Sequence, residues 1–141
     1  MSDKTHAEEQ TFTAQEVPVD DRIDVQAKHH GRHISYLETL IFNSLSKMCP
    51  AYTGGFWVFY ETSNGTFFMA PDMEEKLTLS VEGNFFSGEV SAQAAGIVAC
   101  LVAYNRLCWE TQTDQDINRF HALRDFALEH EEAPLIMAAI D

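Results

Sequence analysis

Residues 52–71 read YTGGFWVFYETSNGTFFMAP, two aromatic-rich runs flanking Asn64-Gly65. An Asn-Gly pair between such runs is the strongest short-range signal for a two-residue hairpin, because both central positions of a type I′ turn need positive φ. With Asn64 and Gly65 as the turn, Ser63 pairs with Thr66, Thr62 with Phe67, Glu61 with Phe68, Tyr60 with Met69 and Phe59 with Ala70. Side chains alternate across a strand. This register therefore puts Phe56, Val58, Tyr60, Thr62, Phe67 and Met69 on one face, and Trp57, Phe59, Glu61, Phe68 and Ala70 on the other. Both faces are apolar, so the hairpin is either covered twice or leaves an aromatic patch for a partner.

Beyond the hairpin, Asp72 to Lys76 is a charged connection, and Leu77, Leu79 and Val81 then alternate with Thr78, Ser80 and Glu82. Gly83-Asn84 supplies a second two-residue turn. It sets Leu77, Leu79 and Val81 opposite Val90, Gly88 and Phe86, with Thr78, Ser80 and Glu82 opposite Glu89, Ser87 and Phe85 on a wet face. Ser91 is a good N-cap for a helix running to about Glu110 that is apolar nearly all round, and so central. Gly96 inside it costs about 1 kcal/mol against alanine, which a close approach of helix to sheet explains. Asp114 or Asp116 caps a further helix through about His130, and Pro134 opens a short last one.

On the other side of the hairpin, Ile34, Leu37, Ile41, Leu45 and Met48 form a helical stripe that Cys49-Pro50 ends. His29 and His33 could hold a metal one helical turn apart, but Gly31 between them weakens the helix, and the segment reads as a solvated approach to the next helix. Residues 1–22 are polar and acidic. They read as a disordered arm ending in an extended edge segment, followed by one domain over 23–141. The fold class is α+β: a four-stranded antiparallel meander packed with an N-terminal helix and two to three C-terminal helices.

The 141 residues, 45% apolar with ten Phe, make one domain that buries roughly two-thirds of its unfolded surface. The longest apolar run, Ala94 to Tyr104, falls short of the roughly 20 residues that span a bilayer, and the N-terminus lacks the features of a signal peptide. Three cysteines give no disulfide framework: Cys100 and Cys108, on one helix, stand about 12 Å apart. A reduced, cytoplasmic location follows. A net charge of −13 argues against non-specific contact with nucleic acid or an anionic membrane. Seven acids and two bases over residues 1–24, and four acids with no base over 129–141, leave only −4 between them. The excess at the two ends favours solubility over imitation of DNA.

Thr53-Gly54-Gly55 leads into a strand, not a helix, so it is no phosphate loop, and Phe86-Ser87-Gly88 is no nucleophile elbow. Cys49, Cys100 and Cys108 read as buried thiols before they read as nucleophiles beside His121 or His130. Glu61 and Glu89 on the wet face form the one candidate acid–base pair, which keeps a small hydrolase as the alternative function. Trp57, Phe59 and Phe68 suit base stacking, but in acidic surroundings a protein contact or plain core fits better. Trp57, Phe59, Glu61 and Phe68 are the partner-binding candidates, because a lone carboxylate such as Glu61 is costly to bury and marks their face as the open one. No catalytic, cofactor or metal residue is assigned.

The blocks Gly54-Gly55-Phe56-Trp57-Val58-Phe59-Tyr60, Ser63-Asn64-Gly65 and Met69-Ala70-Pro71 resemble the antirestriction protein family of the ArdB/KlcA type. The likeness continues through Glu75-Lys76-Leu77, Gly83-Asn84, Phe86-Ser87-Gly88-Glu89 and Ala94-Ala95-Gly96-Ile97-Val98-Ala99. It resumes at His121-Ala122-Leu123-Arg124-Asp125-Phe126 and reaches Ala138-Ala139-Ile140-Asp141, covering about residues 36–141. It departs at Ile23 to Gly31, IDVQAKHHG, where family members carry aromatics ending in Pro-Arg-Tyr-Phe-Gly. The resemblance implies a cytoplasmic protein of plasmids and mobile elements that protects incoming DNA from type I restriction endonucleases. It implies no catalytic residue and no cofactor. The partner it implies is the type I restriction-modification enzyme or an associated host factor, without direct nucleic-acid binding and without a membrane. An adaptor that keeps the fold and has lost antirestriction is the remaining alternative, and the oligomeric state stays open.

Overall fold

A computed structural model of the protein describes residues 11–141. Strand β1 (Ala14–Glu16) leads through a 3-10 turn to helix α1 (Arg22–His30) and, after Gly31, to helix α2 (Ile34–Met48). Two hairpins follow, β2 (Trp57–Thr62) with β3 (Phe67–Pro71) and β4 (Leu77–Val81) with β5 (Phe86–Val90). Helices α3 (Ala92–Thr111), α4 (Asp114–Leu128) and α5 (Ala133–Ile140) close the chain. The class is α+β, and helix α2 starts at the Ile34 expected from its apolar stripe.

The first hairpin is displaced by one residue from the register its turn signal predicts. Glu61 faces Phe67, Tyr60 faces Phe68, Phe59 faces Met69 and Val58 faces Ala70. The turn holds three residues, not two: Thr62 N–H donates to Thr66 C=O (2.9 Å) and Gly65 N–H to Thr62 C=O (3.0 Å). Only Gly65 takes positive φ (84°), the arrangement of a turn closed by a left-handed glycine. Asn64 is held elsewhere, its amide donating to Ala122 C=O (2.9 Å) and its carbonyl accepting from the Thr62 hydroxyl (2.6 Å). A slip of one residue moves every side chain of one strand to the opposite face. Phe68 and Ala70 thereby leave the side of Trp57, Phe59 and Glu61 and join that of Val58 and Tyr60.

The order of the four strands is the meander expected, but they divide into two sheets, β1-β2-β3 and β4-β5. The outer edge of β3 is already occupied. Helix α3 lies along it, with the Tyr104 hydroxyl donating to Phe67 C=O (3.1 Å) and the Cys100 thiol to Met69 C=O (3.6 Å). A helix laid on an open edge satisfies carbonyls that another strand would otherwise take. The approach depends on Gly96, where an added Cβ would stand within 3.0 Å of Ala70 and of Met69 C=O. Twelve of the twenty residues of α3 are buried, which makes it the axis of the core. Its N-cap is Ser91, whose hydroxyl accepts from Ala94 N–H (3.0 Å).

The second hairpin keeps its predicted register, Leu77 opposite Val90, Leu79 opposite Gly88 and Val81 opposite Phe86, with Thr78, Ser80, Ser87 and Glu89 exposed. Its turn differs in one detail, since positive φ falls on Phe85 (54°) and not on Gly83. Thr113, not Asp114 or Asp116, caps α4 by accepting from Asp116 N–H (3.3 Å).

Within the segment 1–22 read as an acidic arm ending in an edge segment, Ala14–Glu16 form a strand and Val19–Asp21 a 3-10 turn. Ala14–Glu16 pair with Thr62–Tyr60 as the edge segment, Val17 N–H donates to Phe59 C=O (2.8 Å), and Val17 is buried. Residues 1–10 of the expected arm lie outside the described residues.

Candidate functional site

The four residues expected to form an exposed face separate. Trp57 is 8% exposed, its ring 4.9 Å from Phe42 and 6.2 Å from Tyr52. Phe59 is 9% exposed, edge-on to Phe67 at 5.5 Å with the Arg22 guanidinium 4.9 Å above its ring. Phe68, fully buried on the opposite face, stacks on Tyr60 (4.7 Å) and leans on Phe126 (5.5 Å). The reasoning that Glu61 marks an open face fails for its neighbours because α1 and α2 cover that side, through Arg22 and Phe42, and α1 supplies Glu61 with its partners. Among the four, only Glu61 reaches solvent, at 34% of its side chain.

Glu61 meets Lys28 Nζ at 2.7 Å and His29 Nε2 at 2.6 Å through one carboxylate oxygen. Hydrogen bonds from Lys28 and then His29 hold its carboxyl below the ordinary range. The trio lines a groove of about 610 Å³ between β1 and α1, together with Thr13, Glu16 and Val25. That volume suits a small molecule. Both basic groups are engaged by Glu61, however, and the Ser63 hydroxyl accepts from Thr13 N–H (2.9 Å). Glu89, the other half of the candidate acid–base pair, lies on the other sheet.

The histidine segment is no solvated approach. His29 stacks on Phe67 (5.5 Å, 26° between planes), and His30 is fully buried, edge-on to Phe67 (5.0 Å) and Tyr104 (5.6 Å). His30 Nε2 lies 2.7 Å from the Tyr104 hydroxyl. Since that hydroxyl gives its proton to Phe67 C=O, Nε2–H is the donor and Nδ1 is a buried lone pair without a partner among the described residues. Burial, with the Arg119 charge assisting, pushes the imidazole down to about 3.

Arg119 fastens the same corner, Nε donating to His29 C=O (3.2 Å) and Nη1 to Asp116. Asp116 accepts further bonds from Thr111 (2.5 Å) and Thr113 (2.9 Å). Burial works to raise its carboxyl, but these hydrogen bonds outweigh that and hold it low. The cluster ties α1 to α3 and α4 and spends its donors within the fold. His29 and His33 do not converge, since Gly31 (φ 56°) breaks the helix between them and His33 turns towards Asp116 (3.8 Å). Among the described residues no three His, Cys, Asp or Glu side chains cluster to hold a metal ion. Burial raises the Cys100 thiol to about 12, which leaves it un-ionised and inert.

One feature escaped the sequence reading. Phe56 is 86% exposed immediately before the buried Trp57, at the end of a loop carrying Gly54 (φ 112°) and Gly55 (φ 144°). Two glycines ahead of an aromatic were the available signal, hidden by the expectation that Phe56 continues the strand.

A family model described as "Antirestriction protein" matches residues 50–141. Two antirestriction proteins KlcA of Escherichia coli are similar to this chain. One is 51% identical over 108 residues, 74% of each chain; the other is 40% identical over 141 residues, covering 96% of this chain and 99% of that one. The chain belongs to the antirestriction protein family. A solved structure from work on KlcA and ArdB superposes with a TM-score of 0.86 at 42% identity, covering 94% of this chain and 96% of that one. That work describes a novel fold, with antirestriction activity against Type I DNA restriction systems in vivo but not in vitro. Within this antirestriction protein the family model takes in the Phe56 loop, and it begins beyond Lys28 and His29.

Proposed function

We propose that this protein protects incoming mobile-element DNA from type I restriction endonucleases, acting in the cytoplasm by protein–protein contact and not by catalysis. The supporting observation is the likeness to the KlcA and ArdB fold across nearly the whole chain at 42% identity, for proteins active against type I systems in vivo but not in vitro. An activity present in vivo but not in vitro favours contact with a component of the living restriction pathway, either the enzyme as it exists in the cell or a host factor beside it. The net charge of −13 opposes direct attachment to DNA.

Unmodified phage plated on a type I restricting host, with and without this protein, tests the reading. Expression is expected to raise plating efficiency towards that of a non-restricting host. Unchanged plating despite abundant soluble protein would refute it.

A further inference from the structure

We propose that the loop 51–56 and the connection 72–76 form a docking site for a basic protein segment that seats an apolar side chain beside Phe56. The site would serve the antirestriction function proposed above, and its place in restriction rests on that reading. Phe56 projects into solvent, yet its backbone is placed, because Phe56 C=O accepts from Asp72 N–H at 2.8 Å. Beside it lies a hollow of about 290 Å³ whose walls include Tyr52, Pro71, Met73 and Leu77 together with the polar Thr53 and Asp72. That is smaller than most small-molecule clefts, which run from about 300 to 1,000 Å³.

The rim is charged. Asp72, Glu74 and Glu75 are exposed with Lys76, a net of −2 over five residues from three acids and one base. An aromatic centre within a polar, net-acidic rim is the anatomy of a protein contact, and an acidic rim selects a basic partner. A second copy of this chain would bring the same −13 to the same rim, so the occupant is a different protein.

The loop is also suited to settling on a partner. Among the described residues Thr53–Gly55 make no backbone hydrogen bond, and the Tyr52 hydroxyl beneath Gly55 is buried with no acceptor. The Trp57 indole beside it cannot accept, since indole nitrogen only donates. Movement of the two glycines would free that hydroxyl for a carbonyl of the incoming segment.

A photo-crosslinking benzophenone amino acid placed at position 56, or at the equally exposed Phe85 as control, tests this in type I restricting cells. Position 56 is expected to capture one protein through a basic peptide, and position 85 not to. Glu74→Lys with Glu75→Lys is expected to lower the yield several-fold. Phe56→Ser is expected to keep the melting temperature and lose restriction relief, whereas Phe85→Ser keeps both. Equal capture from both positions, capture of a second copy, a contact peptide without basic residues, or a yield indifferent to charge reversal would overturn the site. Relief by the unaltered protein without Phe56-dependent capture removes the docking site and leaves the antirestriction reading. Charge-dependent capture without any relief does the reverse.

Discussion

Trp57 and His30 show how far a residue's chemistry leaves its position undecided. Trp57 packs between Phe42 and Tyr52, so Trp57→Ala removes core, and it is expected to cost roughly 3–5 kcal/mol of folding stability, read as a lower denaturant midpoint. The same substitution at an exposed tryptophan, Trp109, is expected to stay within about 0.5 kcal/mol. His30 stays neutral in the fold down to about pH 3, whereas the unfolded chain protonates it near the ordinary 6.5. Above pH 6.5 both states are neutral and this part of the stability is complete. Below it, the unfolded state gains a proton that the folded state refuses, so stability falls by up to about 1.4 kcal/mol per pH unit until about pH 3. His130, also lowered by burial, acts with the same sign. Melting temperatures taken between pH 7 and 4.5 are expected to fall, and to fall less steeply in His30→Phe. Equal slopes in both proteins would contradict the burial of His30 as the cause.

Among the elements, α3 and the first hairpin decide the architecture together. Alanine normally outranks glycine inside a helix by about 1 kcal/mol. At Gly96 the order should reverse, because the new methyl would press on Ala70 and on Met69 C=O, which are backbone and core and cannot swing aside. Overpacking of this kind costs typically 1–3 kcal/mol, so Gly96→Ala is expected to lower the melting temperature where Ala99→Gly, elsewhere on α3, lowers it by propensity and lost packing. The helices were legible because their apolar periodicity is local: the stripe from Ile34 to Met48 and the cap at Ser91 need no tertiary contact to be read. The second hairpin was legible because alternation on Leu77, Leu79 and Val81 leaves one register with a buried face. The first carries apolar groups on both faces, so alternation could not choose its register, and Asn64, bonded to Ala122 of α4, settled the turn from outside the hairpin.

At the scale of the whole molecule, the N-terminal boundary carries a prediction of its own. Removing residues 1–24 would discard −5 of the −13, and it would also delete β1 and the buried Val17. A clear fall in melting temperature is therefore expected for that truncation, measured by circular dichroism, where an acidic arm alone would leave it unchanged. By itself the sequence determined the α+β class, the main helices, the second hairpin and, through its motif blocks, the family. These rest on patterns within about twenty residues of one another. Only the tertiary structure decided that α1, whose buried residues are the polar Gln26 and His30, belongs to the core, since polar composition announces no burial. It alone decided that α3 takes the edge of β3 and splits the sheet, and that Trp57 is covered while Phe56 is left in solvent. Which surface covers which is a contest between segments far apart in the chain, and no local pattern records its winner.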